Sequence, residues 1–184
     1  MPSIRIPQKR IGVLIGRNGS VKEKIEKKTG VELDIDSKTG LVEIDISEVE
    51  DPLMKLKIED VVKAIGRGFN PKKAMKILHD EVYFELLDIR NYVGKNTNAV
   101  KRMRGRVIGK DGRSRELIEE LSEAHISVYG NTVGIIGTRI SLQVAKRAVE
   151  MLLDGSEHST VYHFLESSRA DIKRDKSGFR IQEY

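Results

Sequence analysis

The sequence predicts an α+β protein in which one structural unit is used twice. The first observation is a repeated glycine frame, because residues 15–19 read IGRNG and residues 108–112 read IGKDG, 93 residues later. The match continues outward at the same offset, where Glu26 corresponds to Glu119. The second observation is that segments with helical start and stop signals are followed by short segments of alternating apolar and polar residues, which are typical of half-buried strands.

The first copy is predicted to begin with a strand and a short helix, because only fifteen residues precede Gly16. Ser20 with Glu23 three residues later predicts a capping box at the start of the next helix, and Gly30 marks its end. The predicted elements are a strand at 3–7, helices at 8–14 and 20–29, strands at 31–36 and 41–46, and helices at 52–65 and 70–79.

The second copy is predicted to follow the same order, with the boundary between the copies near Asp80. Its predicted elements are a strand at 81–89, helices at 97–107 and 113–124, strands at 125–129 and 132–136, and helices at 140–153 and 159–168. Strand 81–89 is apolar on both faces, so we expect it to be covered on both sides. The polar segment 171–184 predicts a mobile tail. We therefore expect two domains, 1–79 and 80–184, the second with an extra C-terminal helix.

Composition restricts the class of protein. The 184 residues include 33 Lys or Arg and 28 Asp or Glu, with 39% hydrophobic residues, which is typical of a globular chain. The absence of cysteine excludes disulfides and thiolate zinc sites and favours a reducing, cytoplasmic location. No apolar run approaches the roughly 18 residues of a membrane span, and the first residues do not resemble a signal peptide. We expect a cytoplasmic protein without a membrane partner.

The net charge of +5 is distributed unevenly along the chain. Residues 5–28 carry eight basic and two acidic side chains, residues 90–115 carry nine basic and one acidic, and residues 31–60 carry three basic and ten acidic. Each basic segment surrounds one glycine frame. A basic run alone is typical of a solvated helix face, but two runs around the same motif favour an anionic polymer as the partner.

The order strand–helix–GxxG–helix–strand–strand–helix resembles the KH domain in its type I arrangement. The resemblance covers nearly the whole chain, twice, and implies two tandem three-stranded sheets, each covered on one face by three helices. In KH domains the GxxG loop clamps the backbone of about four single-stranded nucleotides. The physical chemistry agrees, because glycine admits a sugar–phosphate backbone without a Cβ and a helix N-terminus favours phosphate. A plain turn between helices is the alternative for each glycine pair.

The candidate RNA-binding residues form three groups. The loops contribute Gly16, Arg17, Asn18 and Gly19 in the first copy and Gly109, Lys110, Asp111 and Gly112 in the second. Arg17 and Lys110 can neutralise phosphate, whereas Asp111 places a carboxylate beside the expected phosphate path. The basic flank of the second loop contributes Arg104, Arg106, Arg113 and Arg115. The resemblance also implies an apolar base groove lined by Ile15, Ile108 and Ile126, for which burial in the core is the alternative. We favour the second copy as the primary site because its flank is more basic.

Sequence features in and around the second copy indicate which family of KH-domain proteins the chain resembles. Residues 104–115 read RGRVIGKDGRSR, and around them stand GFN at 68–70, FELLDI at 84–89, GS at 155–156 and VY at 161–162. This combination resembles the ribosome assembly factors of the Dim-two, or partner of Nob-one, family, in its archaeal form without a long N-terminal extension. The resemblance implies binding near the 3′ end of small-subunit ribosomal RNA during its maturation. It also implies the Nob-one endonuclease and initiation factor two as partners. In eukaryotic relatives the first loop is degraded, whereas both of its glycines are intact here.

Other classes of function fit less well. The carboxylates of strands 31–36 and 41–46 suit either a magnesium site or the solvent face of a sheet, and we favour the solvent face. The four histidines show no zinc spacing, and no Walker or nucleophile-elbow motif occurs. We therefore expect no metal, no cofactor and no enzymatic activity. The alternative to a ribosome assembly factor is a KH subunit or cofactor of RNA degradation, or a translational regulator.

Overall fold

The computed structural model describes the backbone of residues 1–179 and the side chains of residues 1–176. The chain divides into two compact units, Met1–Val82 and Tyr83–Tyr184, which we call unit one and unit two. The division falls at the start of a strand, a few residues after the predicted boundary.

Unit one contains its helices and strands in the predicted order. They are β1 (Ser3–Arg5), α1 (Gln8–Ile15), α2 (Ser20–Thr29), β2 (Glu32–Asp36), β3 (Leu41–Asp45), α3 (Pro52–Gly66), α4 (Pro71–Ala74) and a 3₁₀ turn at Met75–Leu78. A single-turn 3₁₀ segment at Arg17–Gly19 joins α1 to α2. The predicted helix at 70–79 is therefore one α-helical turn followed by a 3₁₀ turn.

Unit two repeats this order and extends it. Its elements are β4 (Val82–Asp88), α5 (Arg90–Val93), α6 (Thr97–Ile108), a 3₁₀ segment at Lys110–Gly112, α7 (Arg113–Ser122), β5 (His125–Tyr129), β6 (Thr132–Thr138), α8 (Arg139–Leu153) and α9 (His158–Phe179). The short helix α5 was not predicted. It begins where the Asp88 carboxylate accepts the Arg90 backbone N–H at 2.9 Å.

Both units are built on a three-stranded antiparallel sheet whose last strand in sequence lies in the middle. The orders are β1-β3-β2 and β4-β6-β5. The pairing places Leu33 opposite Ile44 and Ile126 opposite Ile135, and all four side chains are buried against the helices. The predicted α+β class, with tandem sheets and an additional C-terminal helix, is confirmed.

The sequence repeat is also a repeat of individual contacts. In each unit a glutamate of the helix that follows the glycine frame (α2 or α7) accepts the backbone N–H of the following strand at 2.8 Å. In each unit a hydroxyl at the end of that helix donates to the carbonyl four residues earlier. The corresponding pairs are Glu26–Leu33 with Glu119–Ile126, and Thr29–Ile25 with Ser122–Ile118. The register of 93 residues therefore holds at the level of hydrogen bonds.

Two predicted details are wrong, and a third holds in part. The N-cap of α2 is Gly19 and not Ser20, and no side-chain cap bond is made there, so the capping box does not form. The segment from 171 to 179 is not a mobile tail, because α9 continues through it and Ile172 is only 3% exposed. Residues 180–184 lie outside the described residues. The coverage predicted for β4 is partial: Leu87 and Ile89 are buried, whereas Tyr83 and Leu86 are 45% and 38% exposed.

The end of α7 leads to a stability prediction. Glu123 adopts the left-handed conformation with φ 60°, at the position where the first copy has Gly30 with φ 74°. A non-glycine residue pays about 1–2 kcal/mol for this conformation. We expect Glu123→Gly to raise the free energy of unfolding by about 0.5–1 kcal/mol, because the exposed ion pair with Lys176 that is lost contributes little. Urea denaturation measures the change.

The matched control for this prediction is Lys176→Gln, which removes the ion pair and keeps the backbone conformation of Glu123. It should change the stability by less than about 0.5 kcal/mol. A lower stability of Glu123→Gly than of the parent protein would mean that the side chain of Glu123, and not its conformation, decides the energy of this turn.

Candidate nucleic-acid interface

The two GxxG loops, which we call loop one (residues 16–19) and loop two (residues 109–112), have nearly the same backbone. The first glycine has φ and ψ of 74° and 175° in loop one and 75° and 174° in loop two. The fourth position has 79° and 4° against 78° and 6°. Each loop joins two helices and ends at the N-terminus of the second, where the structure shows no hydrogen bond from the N-cap side chain. The two loops therefore share one backbone conformation.

The first glycine of each loop is required by the fold itself. A Cβ on Gly16 would stand 2.7 Å from the backbone nitrogen of Val21, and a Cβ on Gly109 would stand 2.7 Å from that of Ser114. These φ and ψ values lie in a region that essentially only glycine occupies. Glycine at this position therefore serves the turn as well as any ligand.

The fourth glycine of each loop faces open space. A Cβ on Gly19 would meet only the tip of Glu23 at 3.7 Å, and one on Gly112 only the guanidinium of Arg115 at 3.9 Å. Packing therefore does not demand glycine here, although the left-handed backbone favours it. This is the point of each loop at which an incoming chain can approach the protein backbone closely.

The third position explains the presence of Asn18 and Asp111. Both residues have φ of 53°, a left-handed conformation that asparagine and aspartate tolerate better than other residues. The carboxylate of Asp111, which the sequence analysis placed beside the phosphate path, is thus accounted for by the backbone. Arg17 and Lys110 at the second position are exposed, so the cationic side chain of each loop is available to solvent.

Two of the predicted phosphate-binding arginines brace the helices of unit two. Arg106 donates from Nε to the Leu152 carbonyl at 3.3 Å and from Nη2 to the Ser156 carbonyl, which ties α6 to the end of α8. Arg104 donates from Nη1 to the Gly130 carbonyl at 3.1 Å. Both side chains therefore have structural partners, whereas Arg113 is exposed beside loop two.

The turn between β5 and β6, which accepts the hydrogen bond from Arg104, is also bonded to the end of β4. Asn131 Nδ2 donates to Asp88 Oδ1 at 3.1 Å. Hydrogen bonds from the Arg90 side chain hold the pKa of the Asp88 carboxyl well below its usual range, so the group stays ionised. Together with Arg104, these contacts fix the short Gly130–Asn131 connection to the end of β4 and to the second half of α6.

The apolar candidates divide into two groups. Ile15 and Ile108 are half-buried next to their loops and remain candidates for base contact. Ile126 is 4% exposed and belongs to the hydrophobic core of unit two, together with Val107 and Ile118. The alternative considered for Ile126 is therefore correct, and its side chain supports the fold rather than lining a groove.

The groove beside α2 in unit one is strongly acidic. It lies between α2 and the sheet and is lined by Met1, Lys22, Glu26, Glu32, Leu33, Asp34, Glu43 and Asp45. The Ser47 hydroxyl donates to Asp45 and lowers the pKa of this carboxyl, which keeps it negative. Repulsion of phosphate is expected along this groove, so the two units differ in charge although their loops match.

A cavity of about 500 Å³ on the α9 side of loop two contains residues that sequence reasoning missed. Its lining includes Arg102, Ser114, His158 and Tyr162. The signal was present in the repeat, because Ser114 corresponds to Val21 in the first copy. A hydroxyl at a buried position that is apolar in the other copy marks a difference between the two units.

Among the described side chains of residues 1–176, no group of three His, Asp or Glu stands close enough together to hold a metal ion. No helix within residues 1–179 is long and apolar enough to cross a bilayer.

Two GxxG loops, each joining two helices over an antiparallel sheet of the same strand order, define a tandem KH-domain protein. Comparison with known families agrees, because residues 83–170 match the second KH domain of PNO1 proteins, described as a eukaryotic type KH-domain (KH-domain type I). Residues 3–54 match the KH domain family.

Individual relatives cover almost the whole chain. The KH domain-containing protein MJ0443 of Methanocaldococcus jannaschii is 49% identical over 93% of this chain and 75% of its own length. The RNA-binding protein pno1 of Dictyostelium discoideum is 29% identical over 86% of this chain and 67% of its own. The Pyrococcus horikoshii a/eIF2alpha–aDim2p–rRNA complex provides a solved chain that is 46% identical, with a TM-score of 0.84, covering 92% of this chain and 94% of that chain. The chain belongs to the archaeal-type KH proteins of the PNO1 and Dim2p family.

Proposed function

We propose that this protein is a non-enzymatic, cytoplasmic adaptor that binds single-stranded RNA in the 3′-end region of small-subunit ribosomal RNA during ribosome biogenesis. The observation that carries the proposal is loop two. Open space lies beside its backbone at Gly112. The exposed Lys110 occupies the second position of the loop, and the exposed Arg113 follows at the start of α7. A positive loop at a helix N-terminus favours a phosphate backbone.

Loop two is proposed as the primary site and loop one as the weaker one. The groove beside α2, the helix that follows loop one, carries carboxylates from α2, β2 and β3, and at least Asp45 is held ionised. The flank of loop two contains nine basic and one acidic side chain between residues 90 and 115. Equal loop geometry with unequal charge supports unit two as the source of most of the binding energy.

The proposed partners follow from the relatives. The Pyrococcus horikoshii structure combines aDim2p with rRNA and a/eIF2alpha, which supports ribosomal RNA and initiation factor two as partners of this chain. The Nob-one endonuclease belongs to the proposal on the family resemblance alone. The cytoplasmic location is supported by the cysteine-free composition.

Fluorescence anisotropy with a labelled single strand from the 3′-end region of small-subunit ribosomal RNA tests binding. We expect the logarithm of the association constant to fall with the logarithm of salt concentration with a slope of about −2 to −3, which corresponds to three or four phosphates at about 0.7 each. The same sequence in a perfect duplex should bind at least about tenfold more weakly, because a KH loop takes unpaired strands.

Crosslinking in cells at single-nucleotide resolution tests the cellular target. A dominant peak near the 3′ end of small-subunit ribosomal RNA is the expected outcome. Sites scattered over messenger RNAs, or a salt slope near zero in the anisotropy measurement, would replace this proposal by a regulatory or a non-RNA function.

A further inference from the structure

We propose that unit two holds a second phosphate subsite behind loop two, in the cavity between α6, the start of α7 and α9. The inference rests on the proposed RNA binding and adds the position of one further phosphate of the same strand. The cavity is lined by Arg102, Gly105, Arg106, Gly109, Lys110, Arg113, Ser114, His158 and Tyr162. Gly109 and Lys110 belong to loop two as well, so a strand clamped by the loop passes directly beside this opening.

The charge of the cavity suits an anion. Arg102, Lys110 and Arg113 are exposed cations, and the residues described around the opening include no carboxylate to oppose them. The ten-residue helix α7 begins here with Gly112 as its N-cap, and within the described chain no side chain caps this end. The positive end of the helix dipole therefore adds to the three side chains.

Ser114 provides the independent observation. Its residue is 1% exposed, and its Oγ has no hydrogen-bond partner among the residues that the structure describes. A buried hydroxyl without a partner costs free energy. A phosphate oxygen entering the cavity would accept its hydrogen bond and remove that cost.

The repeat shows that packing does not require this hydroxyl. The corresponding residue in unit one is Val21, which stands against Gly16 as Ser114 stands against Gly109. The same backbone thus accepts a branched apolar side chain at this position. Serine in unit two is therefore a difference in chemistry, and it coincides with the unit whose loop is surrounded by basic residues.

Helix α9 forms one wall of the cavity, through His158 and Tyr162. His158 Nε2 lies 2.9 Å from the Arg106 carbonyl, and because a carbonyl accepts, this nitrogen carries the proton. The His158 and Tyr162 rings lie with their centroids 6.0 Å apart. The side chains that form the wall are thus held in place before any ligand arrives.

The test uses the full chain, anisotropy and three RNAs. The first is a tetranucleotide from the 3′-end region of small-subunit ribosomal RNA, which fills loop two alone. The other two carry two additional nucleotides at its 5′ or at its 3′ end. We expect one extension to improve the affinity of the parent protein by about three- to tenfold, the range of one added hydrogen-bonded contact.

Ser114→Val copies the residue of unit one and should abolish the gain from extension while leaving the affinity for the tetranucleotide unchanged. Arg102→Gln, at an exposed position, should reduce the gain and lower the salt slope for the extended RNA by about 0.7. Arg147→Gln, an exposed arginine of α8 outside the cavity, is the matched control and should change neither quantity.

The possible outcomes distinguish a failure of the subsite proposal from a failure of the proposed RNA-binding function. If the tetranucleotide binds but neither extension helps, or if Ser114→Val keeps the gain, the subsite is overturned and RNA binding stands. If no RNA binds, both proposals fail. Titration with inorganic phosphate, followed by the amide NMR signal of Ser114, adds a second readout. Saturable shifts without any gain from RNA extension would assign the cavity to a free anion and overturn its assignment to the strand.

Discussion

Lys110→Asp should weaken the binding of single-stranded RNA by about 30-fold or more while leaving the fold intact. The change puts two adjacent carboxylates at the middle of loop two, since Asp111 is already present. One favourable contact between a cation and a phosphate is replaced by one unfavourable contact, and each is about 1 kcal/mol at 4 Å in water. Lys110 is exposed, so the thermal unfolding midpoint should stay where it is.

The matched variant is Arg17→Asp, which makes the same reversal at the same position of loop one. Because the groove beside α2, the helix that follows loop one, already carries several carboxylates, we expect a loss of less than about threefold there. Anisotropy measures both variants against the same RNA, and circular dichroism checks their folding. A larger loss for Arg17→Asp than for Lys110→Asp would move the primary site to unit one.

The comparison of the two loops shows what the sequence could predict. The glycine frame, its duplication and the strand–helix order follow from local patterns that depend on the residues themselves. Gly30 after α2 is such a signal, and the helix ends there as predicted. The second copy has Glu123 at this position, and the helix predicted at 113–124 ends two residues earlier, at Ser122. The left-handed turn is imposed by the tertiary repeat and overrides the local preference of glutamate.

The functional side chains were harder to predict because a basic residue has the same sequence signature in two different roles. Arg106 and Arg113 lie in the same basic run, yet one guanidinium satisfies carbonyls at the end of α8 and the other is exposed. In unit one, Arg10 makes comparable contacts between α1 and the end of α3. It donates to the carbonyls of Ile65 and Phe69 at 2.8 Å. These partners are more than forty residues away in sequence, so no local pattern shows them.

The tail provides the opposite case. Its polar composition predicted mobility from residue 171 onward, but Ile172 is buried and continues the buried side of α9 that Val161 and Leu165 begin within the predicted helix 159–168. Their spacing of four and seven residues is helical. The charged residues between them are the solvent face of the helix, and the apolar stripe was the better guide.

Gly109→Ala should destabilise unit two by about 3 kcal/mol or more. Two costs add at this residue. The φ and ψ of 75° and 174° lie in a region that costs a non-glycine residue about 1–3 kcal/mol. The new Cβ would also stand 2.7 Å from the backbone nitrogen of Ser114, which cannot move without breaking the first turn of α7, and overpacking of this kind costs about 1–3 kcal/mol.

Two other glycines of unit two make this prediction specific. Gly105→Ala, in the open interior of α6, should be neutral or stabilise by up to about 1 kcal/mol, because nothing lies within 4 Å of its Cβ. Gly112→Ala, with a left-handed backbone but open space, should cost about 1 kcal/mol. Hydrogen exchange of the β6 amides reports the stability of unit two separately from that of unit one. If Gly109→Ala costs no more than Gly112→Ala, the first glycine is retained for its ligand. The larger loss predicted here would mean that the turn requires it before any RNA is bound.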